Sequence, residues 1–328
     1  MTTTLSVVLP NFNGRDLLES YLPYTFKALE NSGCIYEFLL VDDCSTDDTI
    51  EFISHHYPQI RILKNEENRG FSYSCNRGIF ESVNELVFLL NSDIKLSPEY
   101  FSGLFTYFSN PDTFGVMGKI LSRDGSKLEI GAKIPRRIGK YVKTDFQYLP
   151  NSGSNSAPTL FLSGANALLD RKKLIELGGF DELFSPFYSE DLDLGIRAWR
   201  MGWKCYFHEQ SYCYHLGSAT MKTQVQKEWV KTIYFRNRML FHAIHLDVEE
   251  LRWWRAQAIF MDVLPKLLIG KTWIWNSFKA LKALEGGISQ SRNKLLLQLQ
   301  KKQGSRSLSQ VVREFDRLMK SQQIVWKS

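Results

Sequence analysis

Short apolar runs alternate with helix-spaced segments over the first 90 residues. Leu5–Leu9 is a β-type run closed by Pro10 and the polar turn at 11–14, and Arg15–Glu30 follows with apolar positions at helical spacing. Tyr36–Val41 predicts a second buried strand, Thr49–His56 a short helix and Ile60–Leu63 a third strand. Phe71–Val83 then predicts a helix and Glu85–Leu90 a fourth strand. The alternation implies an α/β fold, a mostly parallel Rossmann-like sheet with helices on both faces. The stretch 115–158, richer in Gly, Pro, Ser and Lys, predicts loops or irregular hairpins. Ordered structure is expected again at Thr159–Leu169, with a helix from Arg171, another at about Glu190–Met201 and an aromatic strand at Trp203–Phe207. Past residue 220 the pattern is helical, with breaks expected at Gly286-Gly287 and in the polar stretch 301–309.

Composition adds two things to this picture. With 328 residues, 44% of them hydrophobic, the chain can bury a large core, which excludes a disordered or fibrous protein. The net charge of +6 conceals a split: residues 1–219 hold 21 basic and 27 acidic side chains, residues 220–328 hold 20 and 8. Six of the eight tryptophans also lie in that last third. Cys34, Cys44, Cys75, Cys205 and Cys213 form an odd set without metal-type spacing, which predicts free thiols in a reducing compartment. The N-terminus shows no basic region followed by an apolar stretch, and no run reaches the ~18 apolar residues of a membrane span. A cytoplasmic location, peripheral at most on the inner face of the plasma membrane, is the expectation.

The candidate chemistry sits where apolar runs end. There is no G-x-G-x-x-G after the first strand, no P-loop and no G-x-S-x-G elbow. Instead Asp42-Asp43 follows one strand and Asn91-Ser92-Asp93 another, at the strand ends where open α/β sheets bind ligands. Carboxylates there suit a divalent cation and a phosphorylated ligand, although turns also favour Asn and Asp. Asp47 and Asp48 fit a helix cap. Glu190, Asp191 and Asp193 open a helix and repel one another; a cation, a raised pKa or Arg197, one turn on, would relieve this. His215 is either a metal or phosphate ligand or a structural histidine.

Taken together, SVVLPNFNG at 6–14, VDDCSTDDT at 41–49, NRGFSYSCNRG at 68–78, FLLNSD at 88–93, SGANALLDR at 163–171, GGFDE at 178–182, EDLDLGIR at 190–197 and HLGS at 215–218 resemble the family 2 inverting glycosyltransferases of GT-A fold. The nearest likeness is to the bacterial rhamnosyltransferase-like subgroup, in which N-x-D commonly replaces D-x-D, and YFRNRMLF at 234–241 resembles a segment beyond its catalytic core. The resemblance implies a catalytic domain at 1–220, with its nucleotide-sugar half at about 1–95 and its acceptor half at about 96–220, and a helical extension at 221–328. It implies that Pro10, Asn11 and Asn13 line the nucleotide base, that Asp42 and Asp43 lie beside it with Asp43 accepting from a pyrimidine N–H, and that Asn68, Gly70 and Asn76 shape the same pocket. Asp93 and His215 would bind Mg²⁺ or Mn²⁺, with Asn91 near the ribose or metal. Ser163, Gly164 and Ala165 would face the donor sugar. Asp191 would be the catalytic base with Glu190 in support, and Arg197 would belong to the substrate-binding set. The implied reaction moves a sugar from a UDP- or dTDP-sugar to a hydroxyl of a glycan or lipid-diphosphate-linked acceptor in cell-surface polysaccharide synthesis.

The basic tail leaves two readings open. In KTWIWNSFKALKAL, Lys271–Leu284, the residues Trp273, Ile274, Phe278, Leu281 and Leu284 share one helical arc beside Lys271, Lys279 and Lys282. Such an arc fits an anionic membrane interface, within a surface at about 253–284, or packing on the catalytic domain or a second subunit. Two rival functions are weaker. A sugar nucleotidyltransferase would need a Gly-rich, Arg/Lys-containing loop after the first strand, and residues 11–16 lack it. A nucleic-acid binder using the tail leaves the acidic strand ends unexplained, because they repel phosphates.

Overall fold

The computed structural model describes residues 3–150, 154–216, 224–321 and 325–326. The first half runs β1 (Thr4–Asn11), α1 (Arg15–Ser32), β2 (Ile35–Asp42), α2 (Thr49–His56), β3 (Arg61–Lys64), α3 (Phe71–Glu81), β4 (Leu86–Leu90) and β5 (Ile94–Leu96). Strands β3, β2, β1 and β4 lie side by side in that order, all parallel. The chain therefore winds outward from β1 and then crosses back to β4 on the other side of β1. The carboxyl ends of β1 and β4 flank this switch point, the crevice in which such sheets bind ligands. Alternation within β1 divides the core: Leu5, Val7 and Leu9 pack with Leu18, Leu22 and Leu29 of α1, while Val8 packs with Cys75 and Ile79 of α3. Burial on both faces is why these strands read as continuous apolar runs.

The middle of the chain is more ordered than its composition predicts. It contains β6 (Thr113–Ser122), β7 (Leu128–Ile130), β8 (Ala132–Ile138), β9 (Tyr141–Leu149) and β10 (Ser156–Pro158), followed by β11 (Asn166–Asp170) and α4 (Arg171–Leu177). Strand β6 is central, not a loop; Gly115 and Gly118 dilute its β-type signal. Then come α5 (Glu190–Arg200) and β12 (Lys204–His215), one long strand that runs past the predicted Trp203–Phe207 with a register shift between His208 and Tyr212. The full sheet order is β10-β12-β6-β11-β4-β1-β2-β3, with β11 antiparallel to both neighbours and β5 paired to the end of β12.

The remaining helices are α6 (Gln224–His245), α7 (Val248–Ala258), a π-helical turn at Ile259–Val263, α8 (Leu264–Leu268), α9 (Trp273–Ala283), α10 (Glu285–Lys301) and α11 (Leu308–Ser321). Gly286-Gly287 lies in the first turn of α10 and does not break it, whereas 302–307 does separate α10 from α11. These helices share the core of the sheet: Leu240, Phe241, Leu295 and Phe315 belong to the cluster of β4, β6 and β11, and the Phe315 ring lies 4.7 Å from that of Trp199 on α5. The apolar arc of 273–284 is turned to protein. Ile274 is buried, the Trp273 ring meets Phe235 of α6 at 4.7 Å, and Phe278, Leu281 and Leu284 pack on the core. Of the two readings of that arc, packing is the one realised, because α6 offers the complementary apolar face.

Candidate active site

At the carboxyl end of β2 the two adjacent aspartates have different surroundings. Asp43 Oδ1 accepts from Asn65 Nδ2 (2.7 Å) and the Arg69 N–H (2.9 Å), and Oδ2 accepts from the Gly70 N–H (2.7 Å). Its carboxylate thus folds the loop 65–70 back onto the strand, which requires Gly70 at a φ of +83°. Asp42 Oδ2 accepts from the Ser45 N–H (3.1 Å), but its Oδ1 is buried without a partner. Asn11, ending β1, sends Nδ2 towards Thr49 Oγ1 (3.4 Å) and leaves its own Oδ1 unpaired. Pro10 precedes it, half-buried and in register with Val41. Asn13 does something else: its Oδ1 accepts from the Thr46 and Asp47 N–H groups (2.7 and 3.3 Å), pinning the turn that starts α2.

The end of β4 meets the end of β12. Register between β5 and β12 pairs Ile94 with His215, which sets that histidine beside Asp93. Its Nε2 lies 3.0 Å from Asp93 Oδ2 and its Nδ1 2.7 Å from Glu129 Oε2 on β7. The hydrogen bond with Asp93, more than the opposing burial, lifts the His215 pKa to about 9, so both nitrogens donate at neutral pH. Asp93 Oδ1 and Asn91 Oδ1 are both buried without partners. The Asn91 N–H donates to Ala165 O (3.2 Å), and Ala165 N–H reaches Ser163 Oγ (3.4 Å), tying β4 to the 163–165 turn.

That turn leads to α5. Gly164 packs against the Asp191 carboxylate: a Cβ on it would lie 2.8 Å from the Phe71 ring and 3.0 Å from Asp191 Oδ1. Only glycine leaves that space. Burial raises the pKa of Asp191 to about 7 and, together with the Asp191 charge, that of Glu190 to about 8. Asp191 Oδ1 and Glu190 Oε2 have no partner. Asp193 escapes the repulsion differently: Oδ2 accepts from Arg197 Nε (2.7 Å) and Oδ1 from His245 Nε2 (2.8 Å), all inside the protein. The loop before α5 holds Tyr188 and Ser189 at φ of +75° and +70°, a costly backbone. Asn237 of α6, fully buried, clamps it by sharing the two hydrogens of Nδ2 among the carbonyls of Phe184 (2.6 Å), Phe187 (2.8 Å) and Tyr188 (2.8 Å).

Buried polar atoms without partners are rare in folded proteins and call for an explanation. Ten such side-chain atoms occur among the described residues, and six are acceptor oxygens of Asn11, Asp42, Asn91, Asp93, Glu190 and Asp191, all singled out by sequence. Other expectations need correction. Arg197 does not face the site; besides Asp193 it donates to the carbonyls of Leu177 and Gly179. Asn76 bridges α3 to Phe180 (N–H to Oδ1, 2.7 Å; Nδ2 to O, 3.0 Å) and Glu182, so it shapes the turn at 178–182 and not a base pocket. Asn68 is exposed on its loop, and Gly217 and Ser218 of HLGS lie outside the described residues. Sequence reasoning missed Asn65, Glu129 and Asn237; only Asn237 carried a signal, its place in YFRNRMLF.

Two cavities are relevant. One of about 290 Å³ opens over Glu190 and Asp191, with Lys143, Tyr188, Tyr234 and Arg238 among its lining. A larger one of about 650 Å³ lies among α6, α7, α9 and α10 and contains none of the strand-end carboxylates. Among the described residues no three His, Cys, Asp or Glu side chains are grouped to hold a metal by themselves. A cation at Asp93 would need ligands from its substrate, and the unpaired oxygens of Asp93 and Asn91 are the oxygen donors that a hard cation takes.

A mostly parallel sheet with helices on both faces and acidic strand ends at its switch point is a GT-A fold. Residues 6–178 match Glycosyl transferase family 2, and the chain belongs to that family, with the rhamnosyltransferase-like type among its relatives. The N-acetylglucosaminyl-diphospho-decaprenol L-rhamnosyltransferase of Mycobacterium tuberculosis is 28% identical over 227 residues, 62% of this chain and 73% of that protein. Chondroitin synthase of Escherichia coli is 24% identical over 246 residues, 64% of this chain and 34% of the synthase. A crystal structure of GalNAc-T7 with UDP, GalNAc and Mn²⁺ superposes with a TM-score of 0.68 at 15% identity, covering 98% of this chain and 58% of that one. No helix among the described residues is long and apolar enough to cross a membrane.

Proposed function

We propose that the protein is an inverting transferase moving a sugar from a UDP- or dTDP-sugar to a hydroxyl of a glycan or lipid-diphosphate-linked acceptor. The observation that carries this reading is the set of unpaired acceptor oxygens on Asn11, Asp42, Asn91, Asp93, Glu190 and Asp191, with the Ser163–Ala165 turn bonded to the β4 end and packed against Asp191 of α5. Asn11 and Asp42 face the base, and of the two aspartates Asp42 has the oxygen free to accept its N–H. Residues of about 1–95 hold the donor; the acceptor half and the helices beyond 220 complete the acceptor side. Tyr188 and Tyr234, exposed with rings 5.8 Å apart, form an aromatic rim over the acid pair on which a sugar ring can stack.

Asp93 would hold Mg²⁺ or Mn²⁺, with Asn91 Oδ1 and His215 beside it; His215 must release its proton to ligate. Bound there, the cation would neutralise charge on the diphosphate leaving group. The chain's own work is proton transfer and positioning. Asp191 takes the acceptor hydroxyl proton as that oxygen bonds the anomeric carbon from the face opposite the diphosphate. The carbon–oxygen bond to the diphosphate breaks and its electron pair leaves with the nucleotide. Burial raises both acids, so the pair keeps a proton to higher pH than an ordinary carboxyl, and Asp191, the member set against Gly164, is the one we assign as base.

Two outcomes follow. The rate of transfer should climb with pH through about 7, as the acid pair loses its first proton, and a flat profile between pH 6 and 8 would count against the base. Asp93→Ala should weaken nucleotide binding by roughly tenfold or more in the presence of Mn²⁺ but not with chelator, as calorimetry reads it. Equal loss in both conditions would remove Asp93 from the cation site.

A further inference from the structure

The tail's apolar arc at 273–284 is buried, but another stripe is not. Along α7, the π turn and α8, Trp253, Phe260, Leu264 and Leu268 follow at intervals of seven, four and four, the spacing of a single helical face. Trp253 is 70% exposed, Phe260 69% and Leu268 86%, with Met261 and Ile269 beside them and Trp275 at the start of α9. The opposite face carries Trp254, Ala258 and Val263, all buried, so the segment is anchored on one side and apolar on the other. So many large exposed apolar side chains on one stripe mark an interaction surface.

We propose that this face docks on an anionic phospholipid bilayer. Charge complementarity decides the occupant. Arg252, Arg255, Lys271, Lys279 and Lys282 are exposed around the stripe, whereas Asp262, the acidic residue within 251–284, is neutralised by Lys266 at 2.6 Å. A second copy of the chain would bring the same cations against these, which opposes isologous pairing. A negative lipid surface is attracted by them while the stripe enters the headgroup boundary. Exposed Trp253 and Trp275 suit that boundary, each with an apolar body and a polar N–H. Docking here does not rest on the transferase reading, because it is measured without turnover.

Flotation of the full chain with vesicles tests it. Vesicles of phosphatidylcholine with phosphatidylglycerol should carry the protein, and phosphatidylcholine alone should not. The double variant Leu264→Glu/Leu268→Glu should lower the bound fraction roughly tenfold, and Phe260→Ser, a milder change on the same stripe, should lower it less. Lys271→Glu/Lys279→Glu should weaken binding and flatten its dependence on salt. No flotation with phosphatidylglycerol vesicles, or undiminished flotation of all three variants, overturns the proposal. So does concentration-dependent dimerisation that the double glutamate variant abolishes, since a second copy would then cover the stripe.

Discussion

Asp191→Asn should lower sugar transfer by roughly 10²–10⁴-fold, the usual worth of a positioned general base, while nucleotide affinity stays near that of the parent. The amide keeps the volume of the carboxyl group, so the space against Gly164 stays filled and donor binding through Asn11, Asp42 and Asp93 is untouched. Near-normal turnover in Asp191→Asn, with loss in Glu190→Gln, would exchange the two roles. The same substitution should raise stability. A carboxyl whose folded pKa is raised contributes stability that is fully present below its unfolded value and lost as pH rises through the folded one. For this pair the loss falls between about pH 4 and pH 8. At pH 8 the parent carries buried, unpaired negative charge that the amide does not, so the variant should melt several degrees higher there. At pH 4 the two melting temperatures should converge. A higher melting temperature at both pH values would trace the gain to packing and not to charge.

How far the site could be read from sequence depends on where each partner comes from. Asp42, Asn91 and Asp93 were legible because each follows an apolar strand, and strand ends are where this sheet opens a crevice. The acid pair was legible through its own repulsion: three acids in four residues demand relief, and the structure supplies two kinds. Glu129 was not, since its contact with His215 runs through the pairing of β7 with β6 and β6 with β12, which local pattern does not reveal. Asn76 and Arg197 fell inside recognisable motifs but point away from the crevice; membership of a motif does not tell which face of a helix a side chain occupies. The tail shows the same limit for helices. Amphipathic spacing identified an apolar arc at 273–284, but whether it meets lipid or protein was set by α6, a partner some 40 residues earlier. Glycine-diluted β6 shows it for strands.

Asp193→Ala should be the most destabilising single change around the site, by about 3–5 kcal/mol, because it removes one member of a buried, hydrogen-bonded charge cluster and strands the rest. Arg197 would keep its bonds to the Leu177 and Gly179 carbonyls but lose its counter-charge, and fully buried His245 would lose the acceptor of its Nε2–H. Burial pushes the Asp193 pKa up, yet Arg197 and His245 outweigh it and hold the carboxyl below its ordinary value. His245 itself is driven down to about 4 by burial and is neutral at pH 7, so it serves Asp193 as a hydrogen-bond donor and not as a cation. Both shifts carry the same sign. The unfolded chain binds more protons than the folded one between about pH 6.5 and pH 4 at His245, and below that range at Asp193, so the cluster's contribution is lost on acidification. Urea midpoints at pH 7 should therefore fall sharply in Asp193→Ala and less in Asp193→Asn, whose amide oxygen can still accept from His245. An alanine variant with an unchanged midpoint would mean that the cluster positions α5 without stabilising the fold. The effect also separates this residue from Asp191 two positions earlier: removing charge at Asp191 should stabilise and inactivate, whereas removing it at Asp193 should destabilise, because Asp191 has a buried oxygen without a partner while both oxygens of Asp193 are buried among partners.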